Sequence, residues 1–514
     1  MSVIDQKRIA KNTMLLYVRI GLIMLVSLYT SRVVLDALGE IDFGIYNAVG
    51  GIVLMFSFLC STMSTSCQRF YSYETGRNDL ERLQQTFSLC FMVFVVIVIV
   101  VVVLAETVGL WLLDSKMNVV DRSDAAMWVF QCSVLLFVFT IVRTPYMGMV
   151  IAKEKMKVFA YLSVVEVFGN LAIAILIQHY GGDRLVLYAV LMMLVNMLVS
   201  LFYIVYCHSF YKECRLRFYW NKSRFMEMLG FAGWNMIGSL SGLCKSHGLN
   251  LLLNIFFGPA VNAARGLAYK VFATMQTFVD NFFMAVRPQL IKSYSSGDVD
   301  GMLKLVCQSS KFSYFLMFAI ALPLFLETPV LLDAWLKNVP DYTVLFTRLV
   351  IVNGLIEVLV NPLASSMQAY GKIRNYQLVC GGFILTILPI SYLLLKLGFP
   401  AETVFYVSIV VCALAILARL AFVRRCVGLS LKDYFRTAFV PMIMISVISI
   451  PVPVCIEMMV GGVLPRFIAV VASSLLVTAL SVYFVGLTPT ERKHTNNAML
   501  NLKNKIFGSK CNYE

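Results

Sequence analysis

Apolar residues in this chain come in long unbroken runs, not in the alternation that marks a half-buried strand. The clearest, FMVFVVIVIVVVVLA at 91–105, contains no polar side chain. In hydrocarbon a backbone must satisfy its own N–H and C=O groups, which a run of this kind does as a helix. Charge clusters and Gly/Pro breaks divide the chain into fourteen apolar segments, at about 12–35, 43–66, 86–113, 125–152, 158–178, 185–206, 226–256, 260–286, 312–332, 343–368, 377–395, 403–423, 437–456 and 464–486. Several exceed the ~20 residues that cross a bilayer, which allows for tilt or for extension into the interface. No stretch between them is large enough for a soluble domain. The pattern predicts an all-α integral membrane protein of about 14 transmembrane helices. The polar opening MSVIDQKRIAKNT enters the first segment without a small-residue cleavage site, so that segment is predicted to be a retained span and not a signal peptide.

Composition agrees: 60% of the 514 residues are hydrophobic and 14% charged, with a mean hydropathy of +0.80. Soluble proteins run nearer ~25% charged. The formal net charge of +15 would raise the question of nucleic acid in a soluble chain. Here it divides by position. Of the 43 Lys and Arg, twenty-nine fall in one set of loops with the two termini, six in the alternate loops and eight inside the segments. Positive residues favour the cytoplasmic side, so both termini are predicted to be cytoplasmic. The excess then answers to topology and the anionic cytoplasmic leaflet, and no nucleic-acid partner is expected. The thirteen cysteines are scattered without a metal or redox spacing and read as small buried apolar residues.

An internal repeat accompanies the segments. RTPYMGMVIAKEKMKVF at 143–159 overlies VNPLASSMQAYGKIRNY at 360–376 when Pro145 is matched to Pro362. Ala152 then falls on Ala369, Lys155 on Lys372 and Phe159 on Tyr376. The loop RFYSYETGRNDLERL overlies PQLIKSYSSGDVDGM with Gly76 on Gly297. These offsets of 217 (362 − 145) and 221 (297 − 76) predict two six-helix lobes, 1–210 and 220–425, followed by two additional helices at 430–487 and a cytoplasmic tail at 488–514. Six spans return the chain to its starting side, so the lobes have one orientation in the membrane.

On this plan, and on the opening KNTMLLYVRIGLIMLVSLYTSRVVLDALGEIDFGIYNAVGGI, the chain resembles the polysaccharide-flippase (Wzx-like, polysaccharide transporter) branch of the multidrug/oligosaccharidyl-lipid/polysaccharide exporter superfamily. The shared features are an Asn near the start of the first span and an LG..DFGIYN turn into the second. The resemblance implies two lobes around a central cavity and alternating access. The substrate would be a polyprenyl-pyrophosphate-linked glycan, flipped across the bacterial inner (cytoplasmic) membrane for O-antigen, capsule or exopolysaccharide assembly. Membrane lipids, a polysaccharide polymerase and glycosyltransferases would be partners. No cofactor is expected.

Ionisable side chains at bilayer depth cost about 2.5–3.5 kcal/mol on insertion scales, so each needs a reason. The cations are Arg19, Arg32, Arg143, Lys245, Arg265, Lys270, Arg348 and Arg419, and the acids are Glu106, Glu166, Asp280, Glu327 and Glu357. Arg32, Glu106, Glu327 and Arg419 lie close enough to segment ends to snorkel to water or headgroups. Lys245 and Lys270 lie near the middle of spans 7 and 8, with Arg265 one to two turns from Lys270. A diphosphate needs counter-charge to enter hydrocarbon, which Arg supplies as a bidentate fork and Lys as a point charge. Lys245, Arg265 and Lys270 are therefore the first candidates for headgroup binding, with Arg19 as a counterpart in the other lobe. The competing reading is a structural ion pair, for instance Lys245 or Lys270 with Asp280 or Glu357. Glu166, Glu357 and Asp280 are candidates for coupling to H+ or Na+. His247 is a weaker candidate for pH sensing. Polar faces in span 7 (Asn235, Ser239, Ser241, Gly242, Ser246) and span 2 (Ser57, Ser61, Thr62, Ser64, Thr65) either pack closely or line a wet cavity.

No GxxxxGK[ST] loop is present, which argues against ATP as direct energy source, and no HExxH or nucleophile-base arrangement suggests catalysis. The short alternate-side connections, the longest at about 114–124, argue against a polymerase or ligase. A cation-coupled multidrug exporter of the same superfamily is the main alternative, but its cavity should be acidic, and the segments hold eight cations against five acids. A flippase of the peptidoglycan lipid precursor is also anion-binding, and a noncatalytic scaffold for glycosyltransferases is a further alternative.

Overall fold

The computed structural model describes residues 6–54, 57–111, 122–217, 219–336, 339–493 and 496. Most of the connection expected at 114–124, most of the tail 488–514, and residues 1–5 lie outside the described residues. No strand occurs among the described residues. The chain begins as one helical stretch, Gln6–Leu54, broken at Gly39, where φ is 77° and ψ 171°. That break separates α1 (6–38) from α2 (40–54 and Ser57–Gly76). There follow α3 (Leu80–Gly109), α4 (Ser123–Ala152), α5 (Met156–Gln178) and α6 (Arg184–Phe210). The stretch Lys222–Ser295 is broken at Gly258 (φ 82°, ψ −178°) into α7 (222–257) and α8 (259–295). The last six are α9 (Val299–Leu326), α10 (Thr343–Tyr370), α11 (Arg374–Lys396), α12 (Thr403–Val427), α13 (Leu431–Met459) and α14 (Val463–Gly486).

Local chemistry places these ends. Asp79 accepts from the Arg82 amide at 2.9 Å and starts α3, and Asp183 accepts from the amides of Leu185 and Val186 and starts α6. Asn221 does the same for α7 through the Arg224 amide. Inside the helices, hydroxyls such as Thr86, Thr144 and Ser200 donate to the carbonyl four residues back and so spare a buried donor. The exposed side chains run in helical stripes, Val96, Ile99 and Val103 on α3 or Val410, Leu414 and Leu417 on α12, as a lipid-facing surface requires. The described cysteines are free and most are buried, although Cys455 is exposed.

Eleven helices among the described residues are long and apolar enough to cross a membrane. Each of the fourteen expected segments overlaps described helix, and the eleven leave out α7, α8 and α2, in which residues 55 and 56 are not described. They carry the polar faces: Thr62, Ser64 and Thr65 in α2, Asn235, Ser239 and Lys245 in α7, Arg265, Lys270 and Asp280 in α8.

The repeat is visible in backbone geometry. Gly39 and Gly258 share an offset of 219 (258 − 39), as do Arg184 and Thr403 at the starts of α6 and α12 (403 − 184). The offset of 217 matching Pro145 to Pro362 also relates the positive-φ residues Glu154 (59°) and Gly371 (92°). The match of Gly76 to Gly297 is two residues out of register. Gly297 (φ 86°) corresponds instead to Asn78 (φ 55°), and Asp298, just before α9, to the α3 cap Asp79. Packing repeats too: α4 packs on α3 and α6, and α5 on α6, while α10 packs on α9 and α12, and α11 on α12. By contacts the chain forms two compact units. The first comprises Ala10–Ser239 and Ile291–Asp298, the second Met1–Ile9, Leu240–Leu290 and Val299–Glu514. In the second, α13 and α14 pack on each other and on α9.

Gly39 and Gly258 have the same role for the same reason. Their φ/ψ pair belongs to a region that only glycine occupies without strain, and it reverses the chain with a single residue between helices. A β-carbon at either would meet nothing within 4 Å, so the constraint is backbone conformation alone. Gly258→Ala is expected to destabilise the protein by about 1–3 kcal/mol. Gly266→Ala, in an open helical position of α8, is expected to be neutral or stabilising. Thermal unfolding of the detergent-solubilised protein checks the contrast.

Candidate functional site

The first unit holds a half-open cavity of about 310 Å³ lined by Arg19 of α1, Arg143 of α4, Phe159, Ser163 and Glu166 of α5, and Tyr203 of α6, among others. Arg143 is nine residues from the end of α4 at Ala152, and Glu166 ten from the start of α5 at Met156. At 1.5 Å per residue both lie about 14–15 Å from the face that carries the basic loops, near the middle of a ~30 Å hydrocarbon core. Arg143 grips Glu166 with two nitrogens, Nη1 to Oε2 at 3.2 Å and Nη2 to Oε1 at 3.3 Å. The Arg19 guanidinium carbon lies 4.4 Å from the Phe159 ring centroid, a cation–π contact that keeps the charge at the cavity wall. Asn170 adds a buried amide oxygen without a hydrogen-bond partner. Two guanidinium groups against one carboxylate leave this cavity with a net positive charge.

The second unit treats its charges differently. Lys245 of α7 donates to Glu357 Oε1 of α10 at 2.7 Å, with Cys412 Sγ of α12 3.6 Å from the ammonium. Arg265 of α8 is buried; it donates to Asn250 Oδ1 at 3.2 Å and to the Ser246 carbonyl at 2.9 Å, and stacks on Tyr269. Lys270 is exposed, its Nζ 5.8 Å from the centroid of Trp335. Asp280 accepts from Gln276 and Asn361 at 3.0 and 3.1 Å. The head groups of Lys245, Arg265 and Lys270 thus go to three different sets of partners. His247 lies on an exposed face of α7.

Of the four charges assigned to segment ends, Arg32 is exposed, and Glu106, Glu327 and Arg419 have hydrogen-bond partners, as does Arg348. Glu327, expected to snorkel, has a side chain only 1% exposed and accepts two hydrogen bonds from Arg466 of α14 at 3.1 and 3.2 Å. Burial there is affordable because a guanidinium fork matches the carboxylate. Arg348 donates to the Phe325 and Leu326 carbonyls, the last of α9, and satisfies acceptors that a helix end leaves open. Arg419 is hydrogen-bonded to the Tyr376 hydroxyl, and Glu106 accepts from Gln131. Among the described residues no three His, Cys, Asp or Glu side chains gather to hold a metal ion.

Residues 9–294, more than half of the chain, match the model of a family described as polysaccharide biosynthesis protein. The chain belongs to this family. The resemblance carried by the first two spans therefore holds. No curated protein matches this family member in sequence. Among solved structures it is similar to an outward-facing multidrug resistance MATE family transporter of the MOP superfamily, at 12% identity with a TM-score of 0.72 over 82% of this chain and 96% of that one. The MATE transporter ClbM in complex with Rb+ gives 16% identity and a TM-score of 0.68 over 83% and 96% of the two chains. A MOP superfamily transporter from Pyrococcus furiosus, whose binding pocket is described as reversed in polarity, gives 12% and 0.70 over 83% and 96%. At such identities the likeness establishes the fold: an all-α integral membrane protein of polysaccharide biosynthesis built as the MATE transporters are.

Arg143 shows what pattern reading misses in this family member. Its place in span 4 was visible, but its partner lies 23 residues on, in the next helix. The nearby Pro145, which removes one helical hydrogen bond beside it, is the local signal that this stretch of α4 is irregular. Tyr203 and Asn170 had no signal at all, since a Tyr or Asn in a span is usual at helix contacts.

The Lys245–Glu357 pair makes a direct test of cost. Lys245→Met is expected to destabilise by about 2–3 kcal/mol, short of a fully enclosed pair because Glu357 keeps 30% of its side-chain surface. Lys245→Met with Glu357→Leu should recover most of that loss, as read by a double-mutant cycle of thermal unfolding.

Proposed function

We propose that this protein flips polyprenyl-pyrophosphate-linked oligosaccharide units across the bacterial inner membrane, for O-antigen, capsule or exopolysaccharide assembly, by alternating access. The observation that carries the reading is the cavity at bilayer depth where Arg19 and Arg143 face a single carboxylate, Glu166. A lipid-linked diphosphate is an anion whose transfer through hydrocarbon needs fixed cations, and a guanidinium fork fits phosphate oxygens. A cationic drug would be repelled by the same charges. The polarity of the binding pocket is also what is remarked on in the transporter from Pyrococcus furiosus, which shares this fold.

Arg143 and Glu166 suggest how binding is coupled to transport. The diphosphate competes with Glu166 for Arg143. Once displaced, the carboxylate needs another counter-charge, which a proton or a Na+ ion supplies. Glu166 is on this reading the coupling acid of the first unit. Glu357, held by Lys245, and Asp280, held by two amides, are secondary candidates. Lys270 is an exposed cation for later headgroup contact, whereas Lys245 and Arg265, committed to Glu357 and to Asn250 and Ser246, hold the helices of the second unit together.

The two six-helix lobes at 1–210 and 220–425 are the moving parts on this reading, with 430–487 appended and both termini cytoplasmic. The partners are the lipid-linked glycan, membrane lipids, and the polymerase and glycosyltransferases that act before and after it. The peptidoglycan lipid precursor shares the diphosphate, so charge does not separate the two substrates, and the assay must.

Arg19→Ala and Arg143→Ala are each expected to lose the equivalent of one charge-assisted hydrogen-bonding group, about 1.5–3 kcal/mol or roughly 10–150-fold in substrate affinity. Complementation of surface polysaccharide export at matched expression reads it, with peptidoglycan precursor export measured in parallel. Normal export by both variants would sink the headgroup site. Lys245→Ala, at equal expression, should act through stability and not through substrate affinity.

A further inference from the structure

Two carboxylates near the basic-loop face of the first unit are almost withdrawn from water. Glu74, at the end of α2, and Glu154, in the turn between α4 and α5, have side chains 6% and 4% exposed. Both reach far along the chain for a partner. Glu74 Oε1 accepts from Arg224 Nη2 at 3.0 Å, at the start of α7. Glu154 Oε1 accepts from Lys292 Nζ at 2.6 Å, at the end of α8. Around these pairs the packing is close. A β-carbon at Gly76 would lie 1.9 Å from Ser295 Oγ and 2.8 Å from the Lys292 backbone, so only glycine allows this approach. Arg69 of α2 lies 4.6–5.0 Å from the ring centroids of Phe70, Tyr73 and the α7 residue Phe231.

The turn at Glu154 gives independent support. Its φ of 59° is one that glycine takes freely and that strains a residue with a β-carbon. The equivalent turn of the second repeat has Gly371 at φ 92°. One repeat relieves the turn with glycine, while the other keeps a long acidic side chain there and aims it at Lys292. Strain retained at one of two equivalent positions marks a functional constraint.

These contacts grip α7 and α8 at one end only. Residues up to Ser239 of α7 and from Ile291 of α8 belong to the first unit, and the helices continue into the second, where they carry Lys245, Arg265 and Lys270. We infer that Glu74–Arg224 and Glu154–Lys292, closed over Gly76, form the cytoplasmic gate of the transporter. The inference rests on the transport reading above and adds residues to it. The gate is shut here, and the cavity is reached from the cytoplasm when the ends of α7 and α8 leave the turns after α2 and α4. Buried ion pairs suit this task. Their attraction and their desolvation nearly cancel, so they specify a contact without making it irreversible. Glu74 Oε2, buried without a hydrogen-bond partner, would be hydrated in the open state.

The test uses the full-length protein in inside-out membrane vesicles. Ser163→Cys places a thiol in the cavity, and its labelling by a membrane-impermeant maleimide is read by mass spectrometry of that peptide. Glu154→Gln and Lys292→Gln should each raise the labelling rate roughly tenfold or more, the response to losing one charge-assisted hydrogen bond, and the steric wedge Gly76→Leu should raise it by clashing with Ser295 and the Lys292 backbone. Lys292→Arg, and the charge swap Glu154→Lys with Lys292→Glu, should label close to the parent rate, which shows that the pairing and not general loosening is at work. Labelling unchanged in all three opening variants overturns the gate, as does equal labelling of the pair-preserving variants and the pair-breaking ones. The measurement needs no glycan. A response here together with normal export by the Arg19 and Arg143 variants would leave the gate standing and remove the headgroup site.

Discussion

A charged side chain in hydrocarbon must find either a counter-charge or water, and most of this structure can be read as answers to that requirement. Glu327 answers with Arg466, Lys245 with Glu357, and Lys311 of α9 with Glu491 beyond α14. Arg348 uses the open carbonyls at the end of α9. Each solution ties two elements that are distant in sequence, so the charges that are most costly to bury also determine which helices stay together. In the cavity of the first unit, the lining brings two guanidinium groups, Arg19 and Arg143, beside one carboxylate, Glu166, so its wall is electropositive.

The two repeats share a scaffold and diverge in chemistry. The same helix pairings and the same single-glycine reversals at Gly39 and Gly258 appear in both. Within that common frame, the first repeat opens a cavity with a bidentate Arg–Glu contact, and the second closes its central charge with a Lys–Glu pair that leaves no net charge. Repetition supplies geometry cheaply, because a helix pairing that packs once packs again. Function then depends on the few positions where the copies differ, such as Glu154 against Gly371.

The helices were legible because their apolar runs have no other stable form in lipid. The repeat was legible through its prolines and basic loops, but its register near Gly76 was not. Backbone φ, not residue identity, decides which positions correspond, and Asn78 and Gly297 are different residues in one conformation. Two helices that fall below the composition of a lipid-facing span, α7 and α8, show the limit of hydropathy: both are long helices that carry buried charges, Lys245 and Arg265, beside their polar positions. The partners of the buried charges were the least legible feature. Glu357 and Lys245 are 112 residues apart, and Glu154 and Lys292 are 138 apart, so no local spacing announces them. Composition located the costly residues, and only the packing of helices decides which of them cancel.

That cancellation bears on how such a molecule can be stable and still move. A protein held by apolar contacts alone loses little when helices separate within a membrane, where lipid replaces protein at nearly equal energy. A protein held by strong unopposed charge attraction would not let go. Buried ion pairs lie between these limits, because the free energy of pairing is offset by that of dehydrating both partners. Where both carboxylate oxygens have a donor, as at Glu327, the pair is structural. Where a pair lies close to the membrane face and one oxygen is left without a donor, as at Glu74, hydration is a competitive alternative, and the same chemistry becomes a switch. The difference between a staple and a gate is then set less by residue type than by how completely each carboxylate is satisfied.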